Sequence, residues 1–532
     1  METLFTHLDR LLLNDNNTIK REVLYTLLIL LSFSFVKLLL YTFKKLKLTS
    51  SIVKFFVSFV LTEKKKKETL DDIKQKCKEM KLVELEAQHV LGDALSEAEI
   101  VSKLDKAFKI DETEEKLQKT SGSYYNTYNS QHKQFVVEQT KNFIYTNYFH
   151  FTSSQGSLHL NNELISWMKN LMKAGPSVVG TVTSGGTESI FQSILALREY
   201  GKKRGITKPE MIINTTMHVA FKKAFYYLGV KMVELPIDYR TGLTSLSDYK
   251  RAINKNTIAI GMSAVNYPHG TIDPIEEMNE YLKDTDIFII VDSCLGGFTT
   301  SISHHLNDGR FPITDFRLER VAAITIDPHK HGQGPKGCSV VLFKNNEIKS
   351  GTIFCCAEWT GGSYASSTVA GSKSSAPLVG CWVSLCKLGL PGLIKNYKAI
   401  VGACDYLRTE IGKIDQLEVI GEPKGAAFAF AWKGKKKTEI LRLHTALKKM
   451  NWYLYGIQKP MSIHISFTMA NVGNINEKLV ADLKKAIAMI EEDEKLYSGS
   501  ELATLYGTLV ALPDKDFIDD FLKTFMTELD EL

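Results

Sequence analysis

The 532-residue chain holds eight cysteines, Cys77, Cys294, Cys338, Cys355, Cys356, Cys381, Cys386 and Cys404, but no C-x-x-C pair and no even spacing. Neither a disulfide framework nor a zinc ribbon is indicated. Reduced thiols in a cytosol-facing body are expected. Thirteen histidines include no H-E-x-x-H, and no metal site is expected. Internal repeats and low-complexity tracts are lacking as well. A basic excess is lacking wherever the chain is long enough to build a domain. Residues 1–68 carry 12 Lys+Arg and 6 Asp+Glu, which leaves 54 of each sign in the remainder and puts the whole net charge of +6 at the N-terminus. A neutral body has no electrostatic footprint for phosphate backbones, so no nucleic-acid partner is expected. What is present is 44% apolar and 24% charged residues, the balance of a protein with a large core. Wholesale disorder is excluded, and at roughly 150 residues per domain the length suggests about three units.

Residues 23–43 read VLYTLLILLSFSFVKLLLYTF, twenty-one residues with Lys37 as their one charge. At about 1.5 Å per residue this run covers a hydrocarbon core of roughly 30 Å, and Lys37 is tolerable if its stem carries the ammonium to an interface. A buried helix or a signal peptide are the alternatives, but the run is longer than a signal core and no small-residue cleavage site follows it. A single transmembrane helix is expected. Eight lysines follow the run, among them Lys64 to Lys67, against Arg10, Lys20 and Arg21 before it. This bias puts residues 1–22 in the lumen and the body in the cytosol. The segment Ile52 to Leu61 is too short to span and is expected to lie along the membrane surface or to line an entry to the body. Residues 44–120 form a basic juxtamembrane stretch leading into lysine- and glutamate-rich connecting helices.

Beyond residue 175, β-branched runs alternate with helical patterns: 177–183, 211–215, 231–235, 257–265, 286–292, 321–327 and 338–343. Strands separated by helices predict an α/β body with a largely parallel sheet buried on both faces. Ligands gather at the carboxyl ends of such strands. Three of those ends carry chemistry. Thr183-Ser-Gly-Gly-Thr-Glu-Ser189 opens a helix, and its glycines let an anion approach free N–H groups. This loop has neither a Walker lysine nor a dinucleotide fingerprint, and such a turn also serves as an ordinary cap. Asp292 ends the apolar run Ile289-Ile-Val and needs a cation, a metal or a capping role. Lys330 follows Ile324-Thr-Ile-Asp-Pro-His in a glycine-rich loop, where desolvation can lower its pKa and make it an amine nucleophile; alone it reads more readily as a solvated loop lysine. The order of the three matches what pyridoxal phosphate needs: a cup for the phosphate, an acid for the pyridine nitrogen and a lysine for the aldehyde. His218, after the second strand, can stack on the ring, although alone it reads rather as a surface or core histidine.

SGGTES, the His before Ala-Phe, VDSCLGGF and His-Lys followed by Gly-x-Gly-Pro-Lys-Gly resemble the group II pyridoxal-phosphate decarboxylase superfamily. NYPHGTIDP (266–274), TGGSYASSTVAGS (360–372) and the N-terminal span resemble its branch of lyases acting on phosphorylated long-chain bases. The resemblance runs from about residue 120 to the C-terminus. It implies an aspartate-aminotransferase-like α/β fold: a large domain over 121–400 around a mostly parallel seven-stranded sheet, with 121–175 as a substrate segment, and a smaller α+β domain over 401–532. It also implies a homodimer with shared active sites. Lys330 matches the lysine that holds the aldehyde, Asp292 the pyridine partner, His218 the stacking histidine, and Gly186, Thr187 and His329 the cradle. Tyr125, Asn147, His150, Lys336, Tyr364 of the other subunit, and Lys373 match positions where similar lyases bind the substrate.

Three departures stand out. His331-Gly-Gln333 replaces Tyr-Gly-Tyr, Lys373 replaces an arginine, and Pro328 replaces a threonine. Lys373 keeps the charge and loses the bidentate fork. If a tyrosine hydroxyl moves protons in the family, His331 substitutes for it at neutral pH and Gln333 does not. The expected reaction is cleavage of a sphingoid base phosphate at C2–C3 to a fatty aldehyde and phosphoethanolamine, with Lys330, His218 and His331 as catalytic candidates, at the endoplasmic reticulum membrane. The alternatives are an amino-acid decarboxylase of the same superfamily and an inactive membrane-tethered scaffold.

Overall fold

The computed structural model describes residues 94–497, apart from 112, 127–129, 151, 435, 437, 494 and 495, together with 71 and short helical stretches between 519 and 527. Residues 23–43 and 52–61, read above as membrane-associated, lie outside the described residues. Asp93–Thr504 is one compact unit; Met1–Gly92 with Leu505–Leu532 is another, described only at those few positions. The connector ends in the helices Glu97–Asp111 and Glu114–Gln118, the second capped by the Thr113 side chain accepting from Lys116 N–H.

Seven strands form the large sheet: β1 (Val179–Thr183), β2 (Glu210–Asn214), β3 (Lys231–Leu235), β4 (Thr257–Ser263), β5 (Phe288–Asp292), β6 (Val321–Ile326) and β7 (Ser339–Phe343). Their spatial order is β1-β7-β6-β5-β4-β2-β3. The β3-β2-β4-β5-β6 block is parallel, whereas β7 runs antiparallel to both β6 and β1. The connection from β6 to β7 contains no helix to carry the chain back across a face, so β7 returns in the opposite sense. Side-chain alternation splits the core. Ile212, Ile289 and Val291 face one cluster, with Leu164, Met168 and Met278, while Met211, Ile213 and Ile290 face the other, with Ile194, Phe221 and Phe225. Both faces are thereby covered by helices, which is why the strands read as unbroken apolar runs.

The helix Ser375–Gly412 crosses from the large sheet to the small one. It bends at Gly389, whose φ of +55° favours glycine, just before Pro391. Among the described residues it is long and apolar enough to cross a membrane, yet Leu378, Cys381, Tyr397 and Val401 are buried in the core, as in a central helix of a folded domain. A hairpin of β8 (Phe354–Cys356) and β9 (Tyr364–Ser366) precedes it. Past it, β10 (Leu417–Val419), β11 (Ala427–Trp432), β12 (Tyr455–Gln458) and β13 (Met461–Ser466) form an antiparallel sheet in the order β10-β11-β13-β12. The helices Glu439–Lys449 and Ile475–Glu492 pack on each other beside it.

Candidate active site

Parallel strands aim their carboxyl ends at one edge of the sheet, and there the chain encloses a cavity of about 480 Å³. Residues at or just after the ends of β1, β2, β5 and β6 line it: Gly186 and Thr187, His218, Asp292, and His329 with Lys330. The structure therefore brings together all the candidates matched to a cofactor.

At the β1 end, the Ser184 N–H and hydroxyl both donate to Glu188 Oε2 at 2.7 Å, which tightens the turn into the helix Gly186–Lys203. Ser189 N–H is the first to close a helical bond, onto Gly185 O, so the N–H groups of Gly186 and Thr187 precede the ladder and suit an anion. Gly186 is required by close approach. A Cβ there would lie 2.9 Å from both Asp327 Oδ2 and Cys294 Sγ. His218 caps the helix Val219–Leu228, its Nδ1 accepting from Ala220 N–H at 3.2 Å.

Asp292, expected to meet a cation or metal, instead accepts from neutral donors. Cys294 N–H (3.1 Å) and the Thr325 hydroxyl (3.2 Å) both fall on Oδ1, which leaves Oδ2 to a partner in the cavity. The desolvated, pKa-lowered lysine expected at position 330 is also corrected. Lys330 Nζ lies 2.9 Å from Asp327 Oδ2. Burial works to lower its pKa, but Asp327, then Cys294 and Tyr125, outweigh burial and hold it above the ordinary lysine range. In the same way burial works to raise the Asp327 carboxyl, and Lys330 and His329 hold it below the usual carboxylate range. His329 Nδ1 accepts from Cys338 N–H at 3.2 Å, so its proton sits on Nε2, 3.4 Å from Asp327 Oδ2.

Tyr125 and His329 also line a second cavity of about 200 Å³, shared with Gln333 and Lys336. Lys336 Nζ stands 4.5 Å from the centre of the Tyr125 ring. Burial and the Lys330 charge pull Lys336 down to about 8, and burial pushes the Tyr125 phenol up to about 12. His331 packs edge-on against Tyr125, with ring centres 5.2 Å apart, and lies in the wall of neither cavity. Burial, then Lys330 and Lys336, lowers it to about 3, so its ring is neutral at physiological pH.

The remaining substrate candidates sit elsewhere in the same chain. Asn147 Oδ1 accepts from the N–H groups of Lys373 (2.8 Å) and Phe149 (3.1 Å). Tyr364 stacks on Phe149, next to His150, and Lys373 Nζ lies 4.8 Å over the Tyr148 ring. Lys373 lines a third cavity, of about 310 Å³, with Lys349. The two regions touch where Val369 N–H donates to Glu188 Oε1 at 2.9 Å, at the rim of the Lys330 cavity. Sequence reasoning missed Asp327, although its i,i+3 spacing to Lys330 at a strand end was the available signal. It also missed Tyr267, Tyr455, His464 and Ser466, which wall the Lys330 cavity from distant segments. Ser466 N–H donates to the Ser121 hydroxyl at 2.8 Å and Ser123 pairs with the Tyr455 hydroxyl at 2.9 Å, tying the 121–125 segment to the small sheet.

Comparison with known proteins agrees with this geometry. The model of the pyridoxal-dependent decarboxylase conserved domain matches residues 93–433. A sphingosine-1-phosphate lyase of Dictyostelium discoideum is 32% identical over 82% of this chain and 80% of its own length. Its counterpart in Arabidopsis thaliana is 34% identical over 77% of this chain and 75% of its own. Among solved structures, a sphingosine-1-phosphate lyase of Burkholderia pseudomallei superposes with a TM-score of 0.72 at 27% identity, covering 78% of this chain and 98% of that one. A glutamate decarboxylase of Lactobacillus brevis shares the fold, with a TM-score of 0.66 at 19% identity, over 78% of this chain and 96% of its own. With its cofactor candidates gathered at one sheet edge and its sequence matched along most of its length, the chain belongs to the pyridoxal-dependent decarboxylase family, in the branch of the sphingosine-1-phosphate lyases.

Proposed function

We propose that this enzyme cleaves sphingosine 1-phosphate and related phosphorylated long-chain bases at C2–C3, yielding a fatty aldehyde and phosphoethanolamine. The observation that carries the reading is the single cavity that holds Lys330, Asp292 and the Gly186 turn together. The residues fit pyridoxal phosphate. Gly186 leaves open a cup that a Cβ would fill, and Asp292 keeps one carboxylate oxygen for a ring nitrogen. Lys330 would hold the aldehyde carbon, Gly186, Thr187 and His329 the phosphate, and His218 one face of the ring. The bound cofactor supplies an electron sink for the pair released from the broken carbon–carbon bond.

The other steps belong to side chains. Lys336, beside Tyr125, carries the charge for the substrate phosphate and is mostly protonated at neutral pH. Once the substrate amine has taken its place, Lys330 stands in the cavity as an ammonium against Asp327 and does not take the proton of the 3-hydroxyl. His331 has a neutral ring that can accept a proton, but it stands behind Tyr125 and lines neither cavity. Asn147, His150, Tyr364 and Lys373 are read as the part of a homodimer that one subunit lends to its neighbour's cavity. A membrane span over residues 23–43 would anchor the body to the cytosolic face of the endoplasmic reticulum, where a substrate with a long alkyl chain offers its charged head.

Purified protein supplied with pyridoxal phosphate and sphingosine 1-phosphate is expected to release a long-chain aldehyde and phosphoethanolamine in equal amounts. Release of carbon dioxide from amino acids, with no aldehyde from the lipid, would contradict the reading.

A further inference from the structure

Lys330 does not stand free in its cavity. The Asp327 carboxylate that meets it is 1% exposed and is fixed from several sides. Lys330 N–H closes onto Asp327 O at 3.0 Å, so the turn itself sets the spacing of the pair. His329 Nε2 faces the same oxygen, and the bare Cα of Gly186 leaves that oxygen its room. The second oxygen, Oδ1, is buried with no hydrogen-bond partner. A buried carboxylate with one bare oxygen is costly unless a cation sits against it. The other groups facing Lys330 are the Cys294 thiol, the Tyr125 phenol, the neutral His331 ring and the Lys336 ammonium, with Asp292 and His218 in the same cavity. Among them Asp327 is the carboxylate in contact with Nζ.

Resting on the reading that Lys330 carries the cofactor, we propose that Asp327 is a positioning residue that docks the Lys330 amine as an ammonium whenever it is detached. Docking holds the amine off the cofactor carbon while the substrate amine occupies it, and it sets the pH at which the lysine rejoins. Rejoining balances simply. The ammonium loses one proton to water and its lone pair attacks the cofactor carbon; the carbon–nitrogen bond to Lys330 forms as the bond to the departing group breaks, which releases the product amine in turnover and water when the free aldehyde is loaded. No electrons are exchanged with an outside reagent. Because only the neutral amine has the lone pair, a carboxylate that stabilises the ammonium slows this step at neutral pH.

The test mixes the full-length apo-protein with pyridoxal, an aldehyde without the phosphate, so that charge in the glycine cup does not enter. The rate at which yellow absorbance appears is followed from about pH 6 to about pH 10, with the Lys330→Met protein as the blank for other lysines. For the unaltered chain the rate is expected to climb about tenfold per pH unit, with no plateau below about pH 9, as for a lysine held above its ordinary range. Asp327→Asn, nearly the same shape without the charge, is expected to react about tenfold faster or more near pH 7 and to level off at lower pH. An unaltered chain that levels off at or below about pH 9 overturns the proposal without any variant, and so does a folded Asp327→Asn protein with an unchanged profile. Borohydride reduction separates the two levels of the argument: a label on a lysine other than Lys330 defeats the reading beneath the proposal, whereas a label on Lys330 with an unchanged Asp327→Asn profile defeats the proposal alone.

Discussion

Lys336 is charged at neutral pH only because its pKa, pulled down by burial and by Lys330, still stands at about 8. A lysine with a lowered pKa keeps its proton below that value and loses it as pH rises through it. Substrate phosphate would therefore bind well below about pH 8 and progressively worse above, so KM is expected to rise on the alkaline side before kcat changes. Lys336→Met removes a charge-assisted contact of about 1.5–3 kcal/mol and is expected to raise KM about 10- to 100-fold with a smaller effect on kcat, read from steady-state kinetics at pH 7. A fall in kcat with KM unchanged would place Lys336 at the reacting carbon instead. At the same scale, Asp327 was the acid that sequence reading passed over. Its neighbour His329 was placed in the cofactor cradle, while the partner that sets the charge of Lys330 sits one turn earlier.

Elements explain why some of this was legible in the residues. A parallel strand covered on both faces needs an unbroken apolar run, and the seven runs read from the sequence are the seven strands of the large sheet. The edge strand Tyr455–Gln458 and the short Phe354–Cys356, Tyr364–Ser366 and Leu417–Val419 carry no such run, and only tertiary pairing defines them. The helix Gly186–Lys203 shows how tightly the cup is built, because its first residue touches both the β5 and β6 ends. Gly186→Ala forces Asp327 and Cys294 apart, an overpacking cost of about 1–3 kcal/mol. It is expected to weaken pyridoxal phosphate binding by about tenfold or more, measured by absorbance titration. Leu164→Ala, which empties a fully buried site beneath the sheet, is expected to cost about 2–5 kcal/mol in denaturant unfolding while leaving cofactor affinity in the surviving folded protein unchanged.

The whole molecule raises the question that one chain leaves divided. Tyr125 borders the Lys330 cavity and Lys336 the smaller one that shares Tyr125, whereas Lys373 lines a different one, with Asn147 bonded to its N–H and His150 and Tyr364 against Phe149. Composition and spacing carry no signal for such a division, because it depends on how separate segments meet in space. The tyrosines and the histidine that the small sheet and the 266–274 loop bring to the wall escaped sequence reading for the same reason. If the protein is a homodimer with shared sites, Lys330→Met and Tyr364→Phe proteins mixed under exchange conditions should recover activity that neither has alone, since one hybrid site keeps both residues. Equal inactivity before and after exchange would place each site within one subunit. The most direct measurement of the central claim is borohydride reduction of the pyridoxal-phosphate-loaded protein followed by peptide mapping. A single pyridoxyl label on Lys330, absent from the Lys330→Met protein together with its activity, is the predicted result; a label on another lysine, or full turnover by Lys330→Met, would contradict the account.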